Sequence, residues 1–176
     1  MNIKIMGRDE ALYYTFRQDL DEYIMISINC PDENAPIFYV DFKEESKRLG
    51  TLRLWLEDLN EPYHNREPKQ KDMIGLKAFI DTFKNDNRVK DIIIHCTAGI
   101  SRSPAVAAAI CKYLNLDEYN TVWNNEKYIP NELVYRLACN EFGLKISEPE
   151  LEFYKAINKG LKTNKIYDKE IEDMFI

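Results

Sequence analysis

The stretch "IIIHCTAGISRSPAVAAAI", residues 92–110, joins an apolar run to an alanine-rich run through a short loop of small and polar residues. Consecutive apolar residues over 91–96 are typical of a central strand that is covered on both faces. Pro104 falls in the first turn of the next segment, where a helix does not need the missing amide hydrogen. The sequence therefore predicts a strand that ends at Cys96, a tight loop, and a helix that begins near Arg102.

The loop between the predicted strand and helix has the composition of an anion site. Five residues separate the cysteine from the arginine, namely Thr97, Ala98, Gly99, Ile100 and Ser101. Small side chains and a glycine let the backbone curl so that its amides point inward, and a helix N-terminus lies behind them. We therefore expect residues 97–102 to bind a phosphate-like dianion.

The same surroundings act on the cysteine. A thiol close to inward amides, a helix N-terminus and a guanidinium has a pKa of about 3.5 to 7.5, against about 8.5 for a free cysteine. Arg102 offers a planar fork that can hold two oxygens of a tetrahedral anion at once. Cys96 is therefore predicted to be a thiolate nucleophile that faces a bound phosphorus atom.

The rest of the chain alternates short apolar runs with longer amphipathic ones. Strands are predicted at 2–6, 23–29, 51–58 and 91–96, helices at 9–18, 68–85, 103–115, 118–127, 131–142 and 148–161, and a loop over about 30–50. This order predicts an α/β fold in which a central, mostly parallel sheet of four to five strands is flanked by helices on both faces. We expect one domain over residues 1–176, with 163–176 as a flexible or docking tail.

The composition of the chain argues against several classes of partner and cofactor. A net charge of -6 and a pI near 5.1 give no field that would attract nucleic acid or an anionic membrane, so neither is expected as a partner. The four cysteines lack the usual zinc-site spacings, so no zinc site is expected, and no cofactor is predicted. The chain has no secretion-signal pattern and no apolar run of membrane length, which favours a cytoplasmic protein with free thiols.

The segment His95, Cys96, "TAGIS", Arg102, Ser103 resembles the signature of the cysteine-dependent protein tyrosine phosphatase superfamily. The position of the loop, far from the N-terminus, favours the dual-specificity-like, bacterial-type branch. The resemblance implies that Cys96 forms a phosphocysteine intermediate and that Arg102 holds the phosphate. It also implies that Ser103 helps the thiolate to leave and that His95 steadies the cysteine from behind.

The resemblance further implies a general acid on a movable loop upstream of the cysteine. Asp58, 38 residues before Cys96 (96 − 58), is the favoured candidate, with Glu61 next. Strand alternation directs Glu57 to the opposite side, and Asp72 falls on a helix that should be exposed. A solvated acidic turn is the alternative for this segment.

Three further positions carry weaker predictions. Asn131 follows Pro130 and reads as a helix N-cap, and by resemblance its turn also braces the phosphate loop. Cys30 is either a buried structural thiol or a partner that forms a disulfide with Cys96 under oxidation. His64 and Arg66 are solvated loop residues or substrate contacts.

The uncharged loop favours a phosphate monoester over a highly charged inositol phosphate. The predicted substrate is a phosphorylated protein or peptide, with phosphotyrosine first and phosphoserine or phosphothreonine as further substrates. Two alternatives remain open, namely a non-catalytic phospho-binding module and a rhodanese-like sulfurtransferase.

Overall fold

A computed structural model of the chain describes residues 1–17, 19–31, 46–61 and 66–160. The predictions for His64 and for the tail at 163–176 lie outside these residues. The described chain forms a four-stranded sheet in the order β1-β4-β2-β3, and every neighbouring pair of strands is parallel. The strands are β1 (Asn2–Gly7), β2 (Tyr23–Asn29), β3 (Arg48–Trp55) and β4 (Asp91–Cys96). The predicted α/β class with a mostly parallel sheet is confirmed.

Helices cover both faces of this sheet, as expected. The helices are α1 (Arg8–Tyr14), α2 (Leu76–Phe83), α3 (Arg102–Tyr113), α4 (Glu132–Phe142) and α5, which runs from 148 to the last described residue at 160. Side chains alternate along β2, so that Tyr23 and Met25 pack with α1, whereas Ile24 and Ile26 join the larger core under the other helices.

The central strand β4 positions the site. All six of its residues are buried, and its register sets Cys96 opposite Gly7 of β1 and His95 opposite Ser27 of β2. The alanines of α3 are fully buried, which allows this helix to pack closely on the sheet. Cys96 therefore lies at the carboxyl edge of the strands, where open parallel sheets bind their ligands.

The structure corrects two predicted helices. The expected helix at 68–85 is a 3₁₀ turn (Gln70–Met73) followed by α2, and the two pieces are separated by Gly75 at φ 92°. The expected helix at 118–127 is a five-residue π-helical turn (Tyr119–Trp123). Asn158 of α5 donates hydrogen bonds to the carbonyls of Trp123 and Asn125 at 3.0 and 3.2 Å, so these carbonyls have tertiary partners instead of helical ones.

The third strand is also shifted from its predicted bounds. β3 begins at Arg48 and ends at Trp55, so that Asp58 lies three residues beyond the strand. The Leu56 amide makes one more bond to the sheet, at 2.9 Å from the Asn29 carbonyl oxygen. The Leu56 carbonyl then accepts a hydrogen bond from Arg102 at 2.8 Å, which directs the following loop toward the cysteine.

No helix in the described ranges is both long enough and apolar enough to cross a bilayer.

Candidate active site

The loop after β4 is held tightly against the end of β1. Gly99 has φ 74°, and a Cβ there would lie 2.5 Å from the Gly7 nitrogen and 2.5 Å from the Met6 carbonyl carbon. The Arg8 amide donates to the Thr97 carbonyl at 3.1 Å. Because only glycine fits both the left-handed conformation and the space, this residue fixes the curl of the phosphate loop, which we define as residues 96–102.

The Cys96 thiol lies at the base of this loop. Its Sγ is 3.2 Å from the Ser103 hydroxyl oxygen and accepts a hydrogen bond from the Gly99 amide at 3.3 Å. Burial by itself disfavours the thiolate. The hydroxyl and amide of Ser103, the charge of Arg102 and the Gly99 amide outweigh burial, so the pKa of the Cys96 thiol lies below its usual value. The arrangement therefore favours ionisation of this thiol relative to a free cysteine.

Two hydrogen bonds orient Arg102, and its Nε–H makes neither of them. Its Nη1 donates to the Leu56 carbonyl at 2.8 Å and its Nη2 to the Thr97 hydroxyl at 3.0 Å. Its Nε is buried and has no hydrogen-bond partner among the described residues. A buried guanidinium donor without a partner is costly unless a ligand satisfies it. This N–H is therefore suited to an oxyanion in the loop.

Asp58 reaches the phosphate loop from the segment after β3. Its Oδ1 accepts hydrogen bonds from the Ser101 hydroxyl at 2.7 Å and from Asn131 Nδ2 at 3.0 Å. Its Oδ2 lies 3.8 Å from Arg102 Nε, and the side chain is 41% exposed. One oxygen is thus held by donors, and the other is left for a group bound above the loop.

Asn131 connects the loop of Asp58, the phosphate loop and α4. Its side-chain oxygen caps α4 by accepting from the Val134 amide at 2.9 Å, while its Nδ2 donates to Asp58 and to the Leu59 carbonyl. Its own amide donates to the Ser101 carbonyl at 3.2 Å. The sequence suggested the cap and the contact with the phosphate loop. It gave no signal for the contact with Asp58, because the two residues are 73 positions apart.

His95 lies behind the site. Its ring is 1% exposed. Burial, aided by the charge of Arg8 and opposed by a backbone hydrogen bond at Cys96, lowers the pKa of His95 to about 4. A histidine that is neutral at neutral pH fits a supporting position better than an acid–base one.

The other candidates have different neighbours. Glu57 pairs with Arg66 and accepts from the Cys30 thiol at 3.3 Å, whereas Asp58 contacts Ser101 and Asn131; since β3 ends at Trp55, strand alternation is not the reason for the difference. Asp72 caps the 3₁₀ turn by accepting from a backbone amide at 2.7 Å. All four cysteines fall in the described part of the chain and are free thiols, so no disulfide joins Cys30 to Cys96 in this structure.

A parallel sheet with a Cys-to-Arg loop at its carboxyl edge defines a phosphatase of the cysteine-dependent tyrosine phosphatase superfamily. Residues 15–125 match the family model "Dual specificity phosphatase, catalytic domain". The chain belongs to this family. The matched range includes Asp58 and the whole phosphate loop, whereas Asn131 lies beyond it. A comparison with curated proteins gives no match.

Proposed function

We propose that this phosphatase hydrolyses phosphotyrosine in proteins or peptides, with phosphoserine and phosphothreonine as further substrates, through a phosphocysteine intermediate. The observation that carries the proposal is the phosphate-loop geometry: the Cys96 sulfur contacts Ser103 and the Gly99 amide, and Asp58 Oδ2 lies 3.8 Å from Arg102 Nε, which has no hydrogen bond within the described part of the chain.

In the first step, the Cys96 thiolate attacks phosphorus. An S–P bond forms, the ester P–O bond breaks, and Asp58 gives its proton to the departing oxygen. Arg102 Nε and the loop amides stabilise the charge on the three equatorial oxygens. The hydrogen bonds from Ser101 and Asn131 occupy Asp58 Oδ1, which leaves Oδ2 to carry the transferable proton.

In the second step, water attacks the phosphocysteine. Asp58, now a carboxylate, takes a proton from the water while a new P–O bond forms and the S–P bond breaks. The Ser103 hydroxyl, 3.2 Å from the sulfur, stabilises the thiolate as it leaves. Inorganic phosphate then departs and the site is restored. These steps require no metal or cofactor, because Arg102 and the amides supply the positive potential.

The charge of the phosphate loop supports a phosphorylated protein as substrate. The loop side chains at 97–101 carry no charge, which matches a monoester better than a polyphosphorylated ligand. We also place the activity in the cytoplasm, since the nucleophile must remain reduced and the chain's four cysteines, all within the described residues, are free.

Turnover of p-nitrophenyl phosphate and of a phosphotyrosine peptide tests this function. Cys96→Ser should reduce both rates to background, and Asp58→Asn should lower the peptide rate by about 10²- to 10⁴-fold. Cys30→Ser, a matched change at a half-buried cysteine that contacts Glu57, should keep the wild-type rate.

Two results would replace the proposal by its alternatives. A wild-type protein that binds the phosphopeptide without hydrolysing it would be a binding module. Turnover of thiosulfate in place of phosphate esters would indicate a sulfurtransferase.

A further inference from the structure

A cavity of about 730 Å³ lies next to the loop that carries Asp58. Its walls are residues 60–61, the segment 129–133 with the next turn of α4, and the end of α5. This volume is in the range of about 300–1,000 Å³ that ligand pockets occupy. The described residues that line it are all outside the phosphate loop, so it is a second space beside the catalytic one.

The cavity is adjacent to the catalytic site. The amide of Ile129, in its wall, donates to the carbonyl of Ile100 in the phosphate loop at 2.8 Å. Glu61, in the opposite wall, follows Asp58 by three residues. Three residues of extended chain span at most about 11 Å, at roughly 3.6 Å per residue. Glu61 of the cavity wall therefore lies within about 11 Å of Asp58. A substrate peptide whose phosphoresidue lies beside Asp58 can cover this distance in about three residues.

Three of the five charged residues that line the cavity pair with one another. Glu132 accepts from Arg136 at 2.8 Å and from Lys155 at 2.7 Å. Arg136 also donates to both carboxylate oxygens of Glu148 at 2.6 Å. A charged ligand would have to displace these pairs, so the wall does not favour one.

Four apolar residues also line the cavity. Ile129 is 57% exposed, so its side chain still has apolar surface that a ligand can cover. The other apolar residues of the wall are Pro130, Leu133 and the buried Trp123. Hydrophobic burial is therefore the interaction that this cavity offers.

We propose that the cavity is a substrate subsite that takes an apolar side chain of the substrate polypeptide, within about three residues of the phosphoresidue. This inference rests on the proposed function, because the phosphate loop must hold the phosphoresidue in place. It assigns a sequence preference to the enzyme: a leucine or phenylalanine at the matching position should raise kcat/KM about tenfold over alanine.

A phosphotyrosine peptide library tests the preference. Each peptide carries one leucine at a single position from −3 to +3 in an alanine and serine background, and the ratio of its kcat/KM to that of the leucine-free peptide is measured. The wild-type ratio should reach about ten at one or two positions. Ile129→Ala should bring the ratio close to one. Ile74→Ala, the same change at an isoleucine that is 71% exposed and outside the cavity wall, should keep the wild-type ratio.

Binding to the inactive Cys96→Ser protein separates the subsite from the chemistry. Trp123 lines the cavity and is one of only two tryptophans, so its fluorescence reports binding there when Trp55 is replaced by phenylalanine. Peptides with the preferred leucine should bind about tenfold more tightly than the leucine-free peptide, and Ile129→Ala should remove the difference.

The outcomes distinguish the two claims. Hydrolysis with no leucine preference at any position, in rate or in binding, would overturn the subsite and leave the phosphatase function intact. A leucine preference in binding without any turnover would support the subsite and reject the phosphatase function. An equal loss of the preference in Ile129→Ala and Ile74→Ala would also overturn the subsite.

Discussion

Replacing Asn131 by alanine should both destabilise the protein and slow the transfer of a proton to the leaving group. The substitution removes the cap at the Val134 amide and the donors to Asp58 and to the Leu59 carbonyl, at 2.9, 3.0 and 3.3 Å. Because Asn131 is 1% exposed, water cannot readily replace these bonds. The change therefore affects the helix and the acid together.

The size of each effect follows from the contacts. A lost N-cap costs about 1 kcal/mol of folding free energy. The hydrogen bond to the half-exposed Asp58 adds about 1 kcal/mol, at the low end for a charged acceptor. We expect a total loss of about 2 kcal/mol in stability. If the hydrogen bond to Asp58 also stabilises the transition state by about 1 kcal/mol, its loss slows the reaction about fivefold, because about 1.4 kcal/mol corresponds to a tenfold change in rate.

The kinetic effect should depend on the leaving group. Phenol has an ionisable hydroxyl like that of tyrosine, with a pKa of about 10, and needs a proton as it departs. Phenyl phosphate should therefore lose about fivefold in kcat. The better leaving group of p-nitrophenyl phosphate should lose much less. Steady-state kinetics and urea unfolding measure both effects.

Asn131→Ser is the matched control for the helix. Serine caps a helix about as well as asparagine does, but it is too short to reach Asp58. This variant should keep most of the stability and still show the leaving-group-dependent loss of rate. Wild-type rates on phenyl phosphate in Asn131→Ser, with a loss in Asn131→Ala alone, would show that the residue acts through α4 and not on the acid.

Three further predictions concern the loop and its support. Ser103→Ala should raise the pKa of Cys96, because it removes a hydroxyl that favours the thiolate, and the acid limb of the kcat/KM profile should move to higher pH. Gly99→Ala should unfold at a urea midpoint well below wild type and lose activity, since its Cβ would lie 2.5 Å from the Gly7 nitrogen. The pKa of His95 is about 4 in the folded protein and about 6.5 in the unfolded chain, so the unfolded chain binds the proton at a higher pH. The stability that is present above about pH 6.5 is therefore lost as the pH falls through about 4, by about 3 kcal/mol. His95→Asn should lose less stability in acid, as measured by urea unfolding.

Much of the fold was predictable because the strands carry strong local signals. The predicted strand at 23–29 and the apolar run at 91–96 match β2 and β4 as observed. The two wrong helices failed for different reasons: Gly75 interrupts the segment 68–85 locally, whereas a distant residue decides the structure near residue 120. The turn at Tyr119–Trp123 is held by the side chain of Asn158, which no window of local sequence contains.

The candidate active site was likewise predictable only in its local parts. The phosphate loop was visible in the sequence because Cys96, Gly99 and Arg102 lie within seven residues and their chemistry is local. The position of Asp58 was open, because the bounds of β3 and the contacts to Ser101 and Asn131 depend on tertiary structure. The cavity beside Ile129 could not be predicted, because four separate segments of the chain form it.

Ultraviolet absorbance at the thiolate band, recorded against pH as the difference between wild type and Cys96→Ser, tests the central claim most directly. The buried thiols of Cys111 and Cys139, whose pKa values burial raises to about 12 and about 11, contribute little to this difference. The Cys96 thiol should titrate below about 8.5, the pKa of a free cysteine. A midpoint at or above that value would contradict the assignment of Cys96 as the nucleophile.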